Sequence, residues 1–136
     1  MPAWVSEGFQ AYQKRLTKPW QLDLLELTPQ KNKLEEAALI LAKVDVHDFC
    51  VALDVLGKPL STEALSQKLP AWQQAGKHIT FLIGGHEGLD ASCIKRANFS
   101  WSLSNLTFPH QLVKVMLAEQ LYRAVSILNG HPYHRS

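Results

Sequence analysis

"DFCVALDVLGKPLSTEALSQKLPAWQQAGKHITFLIGG", residues 48–85, holds two short apolar runs on either side of one helical pattern. "DFCVALDV" and "HITFLIGG" end at a turn or at glycine, as strands buried on both faces do. Between them, "STEALSQKLPAWQQAG" reads as a helix with Ser61 as N-cap and Leu65, Leu69 and Trp72 turned inward. Pro70 fits that helix badly and is expected to kink or restart it. Strand, helix and strand at this spacing form a right-handed crossover, so the sheet is at least partly parallel. The class is α/β.

Upstream, Val5, Phe9, Tyr12 and Leu16 fall at helical spacing, and Pro2 suits a first helical turn. "WQLDLLEL" alternates as a short strand does. "NKLEEAALILAKV" is helical, with Leu34, Ala38 and Leu41 on one face. Downstream, "SWSLSNLTF" is the place for a last strand, and a long helix runs from Pro109 to about Leu128. Its apolar residues, among them Leu112, Met116, Leu121 and Val125, cover more than one face. Such a helix needs cover on several sides, from the sheet or from a second subunit. A homodimer is the expectation.

A chain of 136 residues suits one domain, 1–136, with a proper core. Its 46% hydrophobic and 19% charged residues describe a soluble globular protein. No stretch reaches the roughly 18 uninterrupted apolar residues of a membrane span. "MPAWVSEGFQAYQKRL" lacks the layout of a signal peptide, so a cytoplasmic setting and no membrane partner are expected. Cys50 and Cys93 stand far apart without a CxxC and read as reduced core residues. The net charge of +2 argues against indiscriminate phosphate binding without excluding nucleic acid. Lys14, Arg15, Lys18, Lys31 and Lys33 read most simply as a solvated helix face and loop.

In open α/β sheets, ligands collect at the carboxyl ends of parallel strands. Three segments should meet there: "LDVLGK", "IGGHEG" and "LSNLTFPH". Gly84, Gly85 and Gly88 would let backbone approach a ligand closely, although a tight strand-to-helix turn explains them as simply. The spacing is neither GxGxxG nor a P-loop. His131 and His134 have an HxxH spacing with His110 as a third candidate, but no Cys, Asp or Glu stands nearby to complete a zinc set. His47 and His78 read as surface or strand-start residues. No nucleophile elbow is present. Glu119 and Arg123, four apart, read as an intrahelical pair.

"LDVLGK", "LIGGHEGL" and "SWSLSNLTFPHQLVKVMLAEQLYRAVSILNGHPYHR" together resemble the ribosomal large-subunit methyltransferase H family, of the SPOUT class. The likeness extends over essentially the whole chain and is strongest from Leu53 onward. It implies a SPOUT-type α/β fold with a C-terminal trefoil knot and a mostly parallel sheet flanked by helices. It implies a homodimer that uses S-adenosylmethionine to methylate N3 of a pseudouridine in large-subunit rRNA, within an assembled ribosome and not on DNA. Carried over, the cofactor pocket would use Leu53, Gly85, Ser104, Asn105, Leu106, Thr107, Phe108 and Pro109. The tail residues Tyr133, His134 and Arg135 would form the catalytic and RNA-facing surface.

The likeness implies three departures. Family members begin about ten residues earlier, with a strand absent here, so that Met1-Pro2 matches an internal position. The loop around "TPQKNKLEE" is shorter and loses basic residues. His86 stands where the family often has Pro or another small residue. A non-catalytic RNA-binding or ribosome-associated module is the rival reading, and a His-based metal hydrolase a distant third. For the enzyme, Arg135 would anchor phosphate or stabilise a developing anion, Tyr133 would stack on or hydrogen-bond to the base, and His134 would accept the proton.

Overall fold

The structure, a computed structural model, describes residues 1–134. Its elements in chain order are α1 (Ala3–Gln13), α2 (Lys33–Lys43), β1 (Phe49–Pro59), α3 (Thr62–Ala75), β2 (Ile79–Leu82), α4 (Ala91–Arg96), β3 (Phe99–Ser102) and α5 (His110–Leu128). The three strands form one sheet in the order β2-β1-β3, with both pairings parallel. The crossover expected from residues 48–85 is therefore present, with β1 in the centre.

Successive strand side chains point to opposite faces, and the core divides accordingly. Val51 and Phe81 join a cluster with Leu65, Leu69 and Trp72 of α3, Trp101 of β3, and Leu117, Leu121 and Val125 of α5. Leu82 joins a second cluster with Ala37 of α2 and Cys93 of α4. Trp72 carries much of the first: its ring lies 5.6 Å from Phe49 and 5.4 Å from Phe99. Full burial of one such side chain contributes about 1.5–3 kcal/mol.

Ser61 caps α3 as expected, accepting from the Ala64 N–H at 3.0 Å. Pro70 neither restarts nor ends this helix, which runs unbroken from Thr62 to Ala75. The proline only deprives the Ser66 carbonyl of its intrahelical partner. Leu65, Leu69 and Trp72 pack hard enough to hold the helix through that loss. In α2 the buried face differs from the expected one. Leu34 is 66% exposed and Ala38 is exposed, while Ala37 is buried with Ile40, Leu41 and Val44 packed beside it. Leu34 sits in the first turn, beyond the reach of the α4 contact.

"WQLDLLEL", expected as a strand, has no regular secondary structure and pairs with no strand among the described residues. Alternation gives it an inner edge, with Trp20 and Leu22 against the core. Side chains fasten it: the Gln13 amide donates to the Leu22 carbonyl at 2.9 Å, and Lys114 Nζ lies 2.9 Å from Glu26 Oε2. The latter bond holds the Glu26 carboxyl below its ordinary pKa.

The long C-terminal helix spans His110–Leu128 with Pro109 as its N-cap. From Gln111 to Leu128 none of its residues is exposed, because α1 and α3 both pack against it. Gly8 of α1 permits the closest approach, since a Cβ there would stand 3.1 Å from Val115. Beyond Leu128 the chain reverses. Gly130 adopts φ +69°, its N–H donates to the Ile127 carbonyl, and the His131 N–H donates to the Ser126 carbonyl at 2.8 Å. Paired bonds of this kind close a helix end around a left-handed glycine and aim the tail back along the helix.

Candidate functional site

β1, β2 and β3 are parallel, so their carboxyl ends share one edge, and each hands over there to a segment singled out from the sequence. Leu53 is the last β1 residue in register, opposite Trp101, before the ladder breaks. The register resumes with Lys58 opposite that same Trp101, so Asp54, Val55, Leu56 and Gly57 bulge outward. Gly57 makes the return possible: a Cβ there would stand 2.7 Å from the Ser100 carbonyl carbon.

After β2, the glycine loop closes on itself. Gly88 adopts φ +79°, and its N–H donates to the Gly85 carbonyl at 3.0 Å. The Gly85 N–H donates to Glu36 Oε1 at 3.2 Å, so α2 reaches across to steady this loop. Gly85 therefore offers a ligand its lack of a side chain more than its polar groups. A Cβ there would meet Glu36 Oε2 at 2.9 Å. Glu36 escaped the sequence reading because nothing in its local pattern points to a glycine 49 residues away.

Ser104 to Pro109 form the third segment. No backbone group of residues 104–108 pairs with another backbone group among the described residues. Leu106 is 67% exposed, Leu53 and Phe108 are half-buried, and Asn105 and Thr107 are exposed. Side chains do engage two of these groups: the Ser102 hydroxyl donates to the Ser104 carbonyl at 2.8 Å, and the Leu106 N–H donates to Ser104 Oγ at 3.0 Å. The remaining backbone donors and acceptors, beside apolar side chains, suit a ligand with a flat heteroaromatic ring and a hydrogen-bonding edge. An adenosine-like group has such a ring and edge.

Tyr133 and His134 form a separate cluster with side chains of α1, α3 and α5. The Tyr133 ring lies 4.6 Å from Tyr122, edge to face, and Arg123 stacks 4.8 Å from its centre. Arg15 lies 5.8 Å from the Tyr12 ring and 5.5 Å from Tyr122. Burial pushes the Tyr133 phenol above its ordinary pKa. Arg123 and Glu119 make the expected intrahelical pair at 2.6 Å, which raises the guanidinium further. Arg123 also places Nη1 3.3 Å from His134 Nδ1, while His134 Nε2 lies 3.0 Å from Glu63 Oε1. That bond is the largest influence holding the Glu63 carboxyl below its usual range. Arg135 lies outside the described residues.

Two groups of residues thus emerge. The three loops share the carboxyl edge, and the tail docks on α5 and the first turn of α3. Among the described residues no hydrogen bond, ion pair or ring contact joins Tyr133 or His134 to residues 84–88 or 104–109. His110 and His131 do not join His134, and no three His, Cys, Asp or Glu side chains gather as metal ligands among the described residues. Cys50 and Cys93 are free and buried, and burial raises both thiols above their ordinary pKa. Lys14, Arg15, Lys18, Lys31 and Lys33 are all exposed.

The family described as "Predicted SPOUT methyltransferase" matches residues 1–134. The chain is 49% identical to the "Ribosomal RNA large subunit methyltransferase H" of Saccharophagus degradans, across 99% of this chain and 93% of that protein. It is 46% identical to proteins of the same name from Hahella chejuensis and Xanthomonas campestris pv. campestris, across 99% of this chain and 92% of each relative.

Proposed function

The chain belongs to the SPOUT methyltransferase family, in its ribosomal RNA large-subunit methyltransferase H branch, and from that premise we propose that it methylates N3 of a pseudouridine in large-subunit rRNA. We read residues 1–136 as one domain with the family's trefoil knot, working in the cytoplasm on an assembled ribosome. Among the described residues no helix is long and apolar enough to cross a membrane. The observation that carries the reading is that Leu53, Gly85 and the run 104–108, whose backbone makes no backbone–backbone bond among the described residues, all follow the carboxyl ends of parallel strands.

Leu53, Gly85 and the run Ser104 to Pro109 hold S-adenosylmethionine in this proposal. Bound there, it supplies an electrophilic sulfonium methyl group. The protein must hold the attacking nitrogen in line with that group and take up the proton it loses. An imide N–H is weakly acidic, so a nearby histidine or a stabilising cation suffices. His134 accepts the proton, Tyr133 stacks on or hydrogen-bonds to the nucleobase, and Arg135 contacts phosphate or the developing anion. Arg15, exposed beside Tyr12 and Tyr122, extends the basic aromatic surface available to RNA.

Calorimetric titration with S-adenosylmethionine, with mass spectrometry of rRNA from cells with and without the gene, tests the proposal. Binding together with a methyl group lost on deletion supports it. Absence of binding leaves the non-catalytic RNA-binding module. Gly85→Val should abolish cofactor binding in the same titration with little change in melting temperature, because the displaced Glu36 carboxylate is the end of a flexible side chain. Unchanged affinity would reduce the glycine loop to a turn.

The separation of tail and loops within one chain supports a homodimer, in which a second copy brings the two together. Light scattering at micromolar concentration should give twice the 15.3 kDa chain mass. A folded monomer would count against it.

A further inference from the structure

We propose that Glu63 is a positioning residue for the methyl transfer: its carboxylate fixes the Nε2–H tautomer of His134 and leaves Nδ1 to accept the proton. The proposal rests on His134 as the base and adds to that reading a residue on α3, 71 positions away in sequence. His134 sits between Glu63, 3.0 Å from Nε2, and Arg123, 3.3 Å from Nδ1. A carboxylate only accepts and a guanidinium only donates. A neutral imidazole satisfies both partners in one form alone, with the proton on Nε2 and the lone pair on Nδ1.

The two contacts differ in how firmly they hold. Arg123 is already bound to Glu119 at 2.6 Å and stacked on Tyr133, and its approach to Nδ1 is the longer one. It can withdraw from Nδ1 without losing its other partners. A nucleobase N–H can then take its place. As the nitrogen's electron pair forms the bond to the methyl carbon, the sulfonium sulfur keeps the pair of the broken bond and the proton passes to Nδ1. The resulting imidazolium keeps its Nε2–H on the Glu63 carboxylate. A carboxylate behind an imidazole sets both the tautomer and the aim of the ring in this way. Glu63 is well placed for it: Ser61 caps its helix, and the neighbouring Thr62 hydroxyl donates to Gln120 of α5 at 2.8 Å.

The test pairs ring-nitrogen spectroscopy with kinetics on the full chain. Long-range ¹H–¹⁵N correlation at about pH 8, where an ordinary histidine is neutral, reads the His134 tautomer directly. The unmodified protein should show Nε2–H. In Glu63→Gln the side-chain amide can donate to Nε2, which should admit the Nδ1–H form. The single-turnover rate at saturating RNA should then fall about tenfold or more, with cofactor and RNA affinities unchanged. Glu63→Asp, still an acceptor only, should keep the tautomer and most of the rate. Nδ1–H as the main form in the unmodified protein overturns the proposal. So does a Glu63→Gln rate that stays normal, or one that falls with the tautomer unchanged. If the unmodified protein transfers no methyl group to rRNA, the functional reading itself fails, and the spectrum still reports whether Glu63 sets the tautomer.

Discussion

His134→Ala should slow single-turnover methyl transfer by a factor of about 10² to 10⁴ at saturating RNA, the usual loss when a general base is removed. Folding and cofactor affinity should change little. Among the described residues, His134 makes its side-chain hydrogen bonds to Glu63 and Arg123, not to the loops assigned to the cofactor. Removing residues 132–136 should give the same separation of effects. Arg135→Ala should differ, weakening RNA binding in a salt-dependent way through the loss of a phosphate contact. Rates across a pH series distinguish the two. A His134→Ala enzyme with a normal rate and an unchanged pH profile removes His134 as the base. The proton then leaves to water, with Arg135 or backbone donors holding the anion.

Gly57→Ala should destabilise the fold by about 3 kcal/mol, at the upper end of what overpacking costs. The added methyl would stand 2.7–2.8 Å from three backbone atoms of Ser100 and Trp101. A side chain could rotate away, but these atoms belong to the β1–β3 ladder and move only with it. Urea unfolding monitored by tryptophan fluorescence measures the loss, since Trp72 and Trp101 both lie in the affected core. A midpoint within error of the unmodified protein would mean that the bulge yields freely. Because Leu53 precedes the bulge, cofactor affinity should fall as well in whatever fraction remains folded.

The crossover was legible because its signals are local: two apolar runs, a serine cap, and a leucine-tryptophan face between them. The long C-terminal helix was legible for the same reason. "WQLDLLEL" shows the limit. Alternation describes how a segment could pair, and pairing also needs a neighbour, which no period of two can supply. Leu34, Ala38 and Leu41 fit a helical face, but which face is buried depends on where α4 comes to lie. The loop segments were found by combining topology with likeness to a family. Their supports were not. Glu36 on Gly85 and Glu63 on His134 join residues 49 and 71 positions apart, and the sequence around each glutamate reads as an ordinary first helical turn.

The packing of α1 against α5 has a consequence for how the molecule is made. α1, with Val5 and Phe9 buried, leaves the ribosome well before α5, the helix packed against it. Val51 must likewise wait for its partner Phe99. Contacts so distant along the chain fold slowly, and apolar surface stays bare while they wait. A nascent chain stopped before His110 should hold all three strands and the capped helices α2, α3 and α4 but lack the helix that completes the larger core cluster. Pulse proteolysis of stalled chains of increasing length should therefore show protection arriving in one late step, after α5 has emerged. Until α5 has emerged, the apolar surface it covers should stay open to chaperones.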